Sequence, residues 1–175
     1  MRGGMITAVL CPGPSLRGFL AQPAEADTYI AVNHAVEDFA CNYWAVSDAE
    51  AIMAYKPVGA PLFFTSALAL SRLADFCKLA GHTVLTHEAC RTACPSDRDW
   101  RKFTMTAALI LAEIIGSTQI RIYGCDQQGG DYFKPGHHPT AEHFASRWSS
   151  EKAVYSRVVG WLKERRVRVE RCFVD

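Results

Sequence analysis

The 175-residue chain has no surplus of charge: 19 Lys and Arg stand against 18 Asp and Glu. Without a broad field of either sign there is little to hold nucleic acid or an anionic membrane surface, so no nucleic-acid partner is expected. No apolar run reaches the roughly 20 residues that a bilayer-spanning helix needs, so no transmembrane segment is expected. Pro12 and Gly13 interrupt the apolar run after Met5 before a secretory pattern can develop, and the expectation is a soluble, cytoplasmic protein. C-x-x-C pairs are missing as well. The seven cysteines, at positions 11, 41, 77, 90, 94, 125 and 172, are odd in number and several lie in apolar segments, the pattern of reduced thiols rather than of a disulfide framework. His87, Cys90 and Cys94 offer three zinc ligands on one loop, but no second pair completes a closed site, so no metal is expected there. G-x-G-x-x-G and the Walker lysine motif are both absent, and there is no internal repeat or low-complexity stretch.

What is present is organised around Ile6 to Leu16, a short apolar run that stops in Cys11-Pro12-Gly13-Pro14-Ser15. A run this short, closed by Gly and Pro, reads as a strand buried on both faces of a parallel sheet. Gly13 permits close backbone approach and Ser15 is placed to cap a helix through Leu20. Such a turn would point free N–H groups outward, which makes Gly13, Pro14 and Ser15 a candidate phosphate cradle.

Further strands are read at Thr28–Val32, Tyr43–Val46, Pro61–Phe64, Thr83–Leu85 and Gln119–Tyr123, each ending in small polar residues. Asn33 and His34, Ser47 and Asp48, and Gly124 and Asp126 follow three of them. His34 reads as a partly exposed loop residue. Helical spacing covers Ala67–Ala80, Thr106–Ile115 and Ser149–Arg165. Val167–Arg171 alternates like an edge strand. Two aperiodic stretches, about 86–102 and 127–147, carry His, Arg, Trp and Gly and read as lids. Strands alternating with helices predict one α/β domain over residues 1–175, Rossmann-like, with a mostly parallel sheet and helices on both faces. Ligands of such sheets bind outside the carboxyl ends of the strands, and small hydrogen-bonding residues there suit a nucleotide.

Three segments carry a family likeness: Gly13-Pro14-Ser15-Leu16, Ile30-Ala31-Val32-Asn33 and Tyr123-Gly124-Cys125-Asp126, the last preceded by a helix opening with Thr104-Met105-Thr106. Together they resemble the small bacterial sialyltransferases that take sialic acid from CMP, with the related hydroxymethylpterin diphosphokinase and motility-accessory-factor proteins. The resemblance implies that the first loop and Asn33 hold the phosphate and sugar side of a nucleotide, that Thr104 and Thr106 lie near the phosphates, and that Gly124 and Asp126 contact base or ribose. A lid histidine would be the general base. His143, with Glu142 and Phe144 beside it, is the first candidate and His138 the second.

The reading that follows is a nucleotide-dependent transferase, a sialyltransferase-like glycosyltransferase whose nucleotide-sugar donor is a substrate, with no cofactor expected. Two alternatives stay open. An ATP- and magnesium-dependent pterin-type diphosphokinase would use Asp48 and Asp126 around the metal, and a non-catalytic nucleotide-binding module would keep the fold without the chemistry. Self-association into a homo-oligomer is also open.

Overall fold

The computed structural model describes residues 4–66, 69, 71, 84–90, 95, 96, 98–127 and 141–172. Strands β1 (Met5–Leu10), β2 (Thr28–Val32), β3 (Tyr43–Ala45), β4 (Leu62–Thr65), β5 (Val84–Thr86), β6 (Ser117–Tyr123) and β7 (Arg168–Cys172) form a seven-stranded sheet in the order β5-β4-β3-β2-β1-β6-β7. All six neighbouring pairs are parallel. The chain steps outward from β1 to β5, then crosses back to place β6 on the other side of β1. The order of strands therefore reverses between β1 and β6, where the carboxyl ends diverge and leave a crevice. As expected, β1 is interior and β7 is an edge.

The period-2 alternation of the strands feeds two cores. Val9, Ile30, Val32, Phe64, Ile120 and Ile122 face one side, under α3 (Thr104–Ile114) and α4 (Ala141–Glu164). Ala8, Leu10, Ala31, Trp44 and Phe63 face the other, with Leu16 and Phe19 of α1 (Leu16–Ala21) and Ile52 of α2 (Ala49–Ala54). Burying each of the large side chains is worth roughly 1.5–3 kcal/mol. Helix α3 contacts β1, β2, β3 and β6 below it and α4 above it, which explains why Thr104 to Ala112 are all buried and why its sequence has no polar face. It stops at Gly116, whose N–H reaches Glu113 O at 2.9 Å.

The second expected lid changes most. Its last part, from Ala141 to Arg147, is the opening of α4, which starts eight residues before the predicted Ser149. Ala141, Glu142 and Ala145 are good helix formers, and Arg147 and Glu151 face each other one turn apart, 3.9 Å between Nε and Oε2. Residues 128–140, including His138, and the helix predicted over Ala67–Ala80, apart from residues 69 and 71, lie outside the described residues. The first expected lid begins inside β5 and closes as a 3₁₀ helix at Arg98–Lys102. Its Trp100 is core, Arg101 pairs with Glu88 at 3.2 Å and Lys102 with Asp99 at 2.6 Å, so this basic pair is spent on ion pairs. His34, expected to be partly exposed, is buried beside Tyr55, ring centroids 5.5 Å apart, because the backbone after β2 turns at once into a 3₁₀ helix, Asn33–Glu37.

His87, in the turn after β5, lies between Phe64 and Trp100 at 4.6 and 5.5 Å and has no hydrogen-bond partner on either nitrogen. Burial pushes its pKa from 6.5 down to about 4. The unfolded chain therefore takes up this proton first: the stabilisation is complete above pH 6.5 and is lost as pH falls through about 4. Removing the titration with His87→Leu is expected to shrink the stability difference between pH 7 and pH 4 by about 3 kcal/mol, read from urea midpoints at the two pH values. An unchanged difference would show that His87 does not titrate as a buried neutral ring.

Candidate functional site

The crevice between β1 and β6 is closed at its base by an interlock of two loops. The Cys11 N–H donates to Tyr123 O and the Gly13 N–H to Gly124 O, each at 2.8 Å, and the Ser15 N–H donates to Asp126 Oδ2 at 3.0 Å. Leu16, Arg17 and Gly18 close turns onto Gly13, Pro14 and Ser15 carbonyls. Pro12 and Pro14 have no N–H to give. The first loop therefore offers an anion no free N–H from Cys11 to Gly18, contrary to expectation: its donors hold the neighbouring loop. Ser15 does not cap α1 either, since its backbone is already helical (φ −68°, ψ −8°) and its hydroxyl is buried without a partner.

Two glycines make this closeness possible. A Cβ on Gly13 would overlap Asp126 Oδ2 and Gly124 O, and one on Gly124, which takes φ +68°, would overlap Cys11 O. Arg171, at the end of β7, donates to the carbonyls of Cys125 and Asp126 and fixes the second loop from the sheet edge.

Above the interlock is a small cavity of about 50 Å³, room for a water or two. Six of the predicted residues line it: Gly13, Pro14, Asn33, Thr104, Gly124 and Asp126. Asn33 is held in a left-handed conformation, φ 50°, where Trp44 Nε1–H donates to its carbonyl at 2.9 Å. Thr104 opens α3, whose first turn carries no side-chain cap. The positive end of an 11-residue helix thus borders the cavity. The Thr104 hydroxyl donates to Ser47 Oγ at 3.2 Å, so Ser47 supports the wall from behind.

The remaining expected residues stand elsewhere. Thr106 is fully buried and its hydroxyl turns back to Trp100 O (2.7 Å) and Phe103 O (2.9 Å). Asp48 is exposed at the start of α2 and does not line the cavity. His143 occupies a position in α4 one turn before Arg147.

The sequence reading missed Gln127, Arg147 and Glu151, which join the lining together with Trp148, an aromatic that the sequence offers as a pocket residue, and the paired thiols Cys11 and Cys125. Contact with the Cys125 thiol, then burial, pushes the Cys11 thiol well above its usual range, so Cys11 stays protonated. Glu151 and Gln127 are only 6% and 4% exposed. Burial raises the Glu151 pKa against the opposing pull of Arg147 and Gln127. Glu151 Oε2, Arg147 Nε, Asn33 Oδ1 and both polar atoms of the Gln127 side chain have no hydrogen-bond partner, each an expense of about 1–3 kcal/mol if left unfilled. Gln127 also takes a left-handed backbone, φ 49°. Among the described residues no group of three His, Cys, Asp or Glu is arranged to hold a metal, and no helix is long and apolar enough to cross a membrane.

No protein-family model matches the chain, and no curated protein matches it by sequence. Among solved structures it is similar to the sialyltransferase CstII from Campylobacter jejuni, determined in complex with a substrate analogue, CMP-3FNeuAc. The TM-score is 0.60 at 10% identity, covering 97% of this chain and 81% of that one. At this identity the likeness speaks for the fold: a sialyltransferase-like α/β arrangement.

The interlock makes a stability prediction. Asp126→Ala leaves a part-buried N–H unsatisfied and is expected to cost about 1–3 kcal/mol, whereas Asp126→Asn, which keeps an acceptor oxygen, should cost clearly less. Gly124→Ala, with both overlap and a strained φ, should cost at least as much as Asp126→Ala. Urea unfolding of the three variants checks the order; equal stability of all three would mean that the loops are not held this way.

Proposed function

We propose that the chain is a nucleotide-dependent transferase of glycosyltransferase type, binding a nucleotide-sugar donor across the mouth of the β1–β6 crevice. The observation that carries this reading is convergence: Gly13, Pro14, Asn33, Thr104, Gly124 and Asp126, singled out far apart in sequence, line one cavity at the reversal of strand order. A likeness in fold to an enzyme solved with a CMP-sugar analogue supports the same class.

In this reading the phosphate lies toward the uncapped opening of α3, where backbone N–H groups and the helix dipole favour negative charge. The first loop shapes the floor rather than cradling the anion. Transfer breaks the bond between the anomeric carbon and the phosphate oxygen while the acceptor hydroxyl oxygen bonds to that carbon. His143 takes the hydroxyl proton, and the charge left on the phosphate is met by the α3 opening. Its place one turn before the cavity-lining Arg147 favours His143 over a residue remote from the site. The two carboxylates that magnesium chemistry would use are separated, Asp126 on the cavity wall and Asp48 outside the lining. We therefore propose transfer that needs no divalent metal.

A thermal-shift panel of nucleoside mono-, di- and triphosphates and nucleotide sugars, with and without magnesium, is the direct test. A donor at 100 times its dissociation constant should add roughly 2.7 kcal/mol of stability. Turnover with that donor should survive EDTA, and His143→Ala should reduce it by roughly 100- to 10,000-fold with donor binding retained. Loss of turnover in EDTA and its return with magnesium would favour the diphosphokinase reading. Stabilisation without turnover would leave a binding module, and no stabilisation by any nucleotide would overturn the proposal.

A further inference from the structure

The orphaned polar atoms of the cavity have a composition that phosphate does not fit. Asn33 Oδ1, Gln127 Oε1 and Glu151 Oε2 accept hydrogen bonds, while Gln127 Nε2 and Arg147 Nε donate; the Gln127 amide lies near enough to the Glu151 carboxylate to oppose the rise in its pKa, but none of these atoms has a partner in hydrogen-bond geometry. Glu151 Oε2 to Arg147 Nε, 3.9 Å, is too long for a hydrogen bond. An anionic group brings only acceptors and would leave three acceptor atoms facing it. The local charges also balance, since Arg147 is set against Glu151, and the loop that carries the Asp126 carboxylate receives the Arg171 guanidinium on its Cys125 and Asp126 carbonyls. A buried site without surplus charge that both gives and takes hydrogen bonds suits a neutral group able to do both. Hydroxyls do so, and two adjacent hydroxyls fill the space of the one or two waters that about 50 Å³ holds. The Trp148 ring lines the same cavity and offers an apolar face of the kind that the C–H side of a saturated ring packs against.

Resting on the proposed function for its setting, we infer that Asn33, Gln127, Arg147 and Glu151, with Trp148 beside them, form a subsite for the vicinal diol of a hydroxylated ring. The ring is either the ribose of the nucleotide or the sugar it carries. Gln127 and Glu151 are the residues that select it. The phosphate is held elsewhere, toward α3.

The test uses the full chain and the variants Gln127→Met and Glu151→Gln, which keep volume and remove hydrogen-bonding capacity or charge. Saturation-transfer NMR with free D-ribose and free D-glucose at millimolar concentration reads the subsite without any nucleotide. Wild type should give ring signals that both variants reduce at least fivefold, while the variants melt at or above the wild-type temperature, because a ligand-binding cluster left unfilled is relieved by the change whereas a structural network is broken by it. Signal from ribose, together with a tenfold preference for CMP over 2′-deoxy-CMP that Gln127→Met abolishes, assigns the ribose. Signal from glucose without that preference assigns the transferred sugar. Absence of any ring signal that the variants reduce overturns the subsite, including the case where nucleotides still bind and the proposed function stands. Ring signals without nucleotide binding would uphold the subsite and reject the proposed function.

Discussion

The site depends on the hydrogen-bonded lock between the loop after β1 and the loop after β6. Three backbone donors of the first loop, on Cys11, Gly13 and Ser15, are committed to Tyr123 O, Gly124 O and the Asp126 carboxylate. That commitment is possible because neither Gly13 nor Gly124 carries a side chain at the crossing point. In an open parallel sheet, strand ends at a reversal of order diverge. Here the lock pulls two of them together, and the cavity sits in what remains of the crevice.

One consequence is a division of labour around the cavity. The floor is backbone whose N–H groups are already paired, and the wall from α3 brings an uncapped helix opening. The side that α4 covers is different: it brings Arg147, Trp148 and a buried Glu151, and with Gln127 it holds polar atoms that nothing in the protein satisfies. Stability and recognition thus fall to different elements. The same lock reaches the sheet edge through Arg171, which ties the second loop to β7, so positions of no evident chemistry control where Asp126 points.

Asp126 illustrates how a residue type marks a place without specifying its use. A carboxylate just after a strand and a glycine invites a ligand-contact reading. In the structure one of its oxygens already receives the Ser15 N–H, and the residue lines the cavity as well. The two uses are compatible because a carboxylate has further lone pairs to offer.

The sequence by itself determined the parallel α/β fold, the interior place of β1, the edge place of β7 and the set of strand-end residues that meet at the crevice. These follow from local causes: period-2 burial, β-branched strands, breaks at Gly and Pro, and the rule that strand ends in such sheets converge on ligands. The tertiary structure alone decided which donors are already used, and it overturned the free-amide cradle at Gly13 to Ser15 because the acceptors, Gly124 O and Asp126, lie more than a hundred residues away. It alone started α4 at Ala141 and so put Arg147 and Glu151 on one face of a helix covering the cavity. Gln127 and Glu151 read as an ordinary loop glutamine and helix glutamate in sequence. Their significance is burial without a partner, and burial is a property of the whole packed chain, which no local pattern encodes.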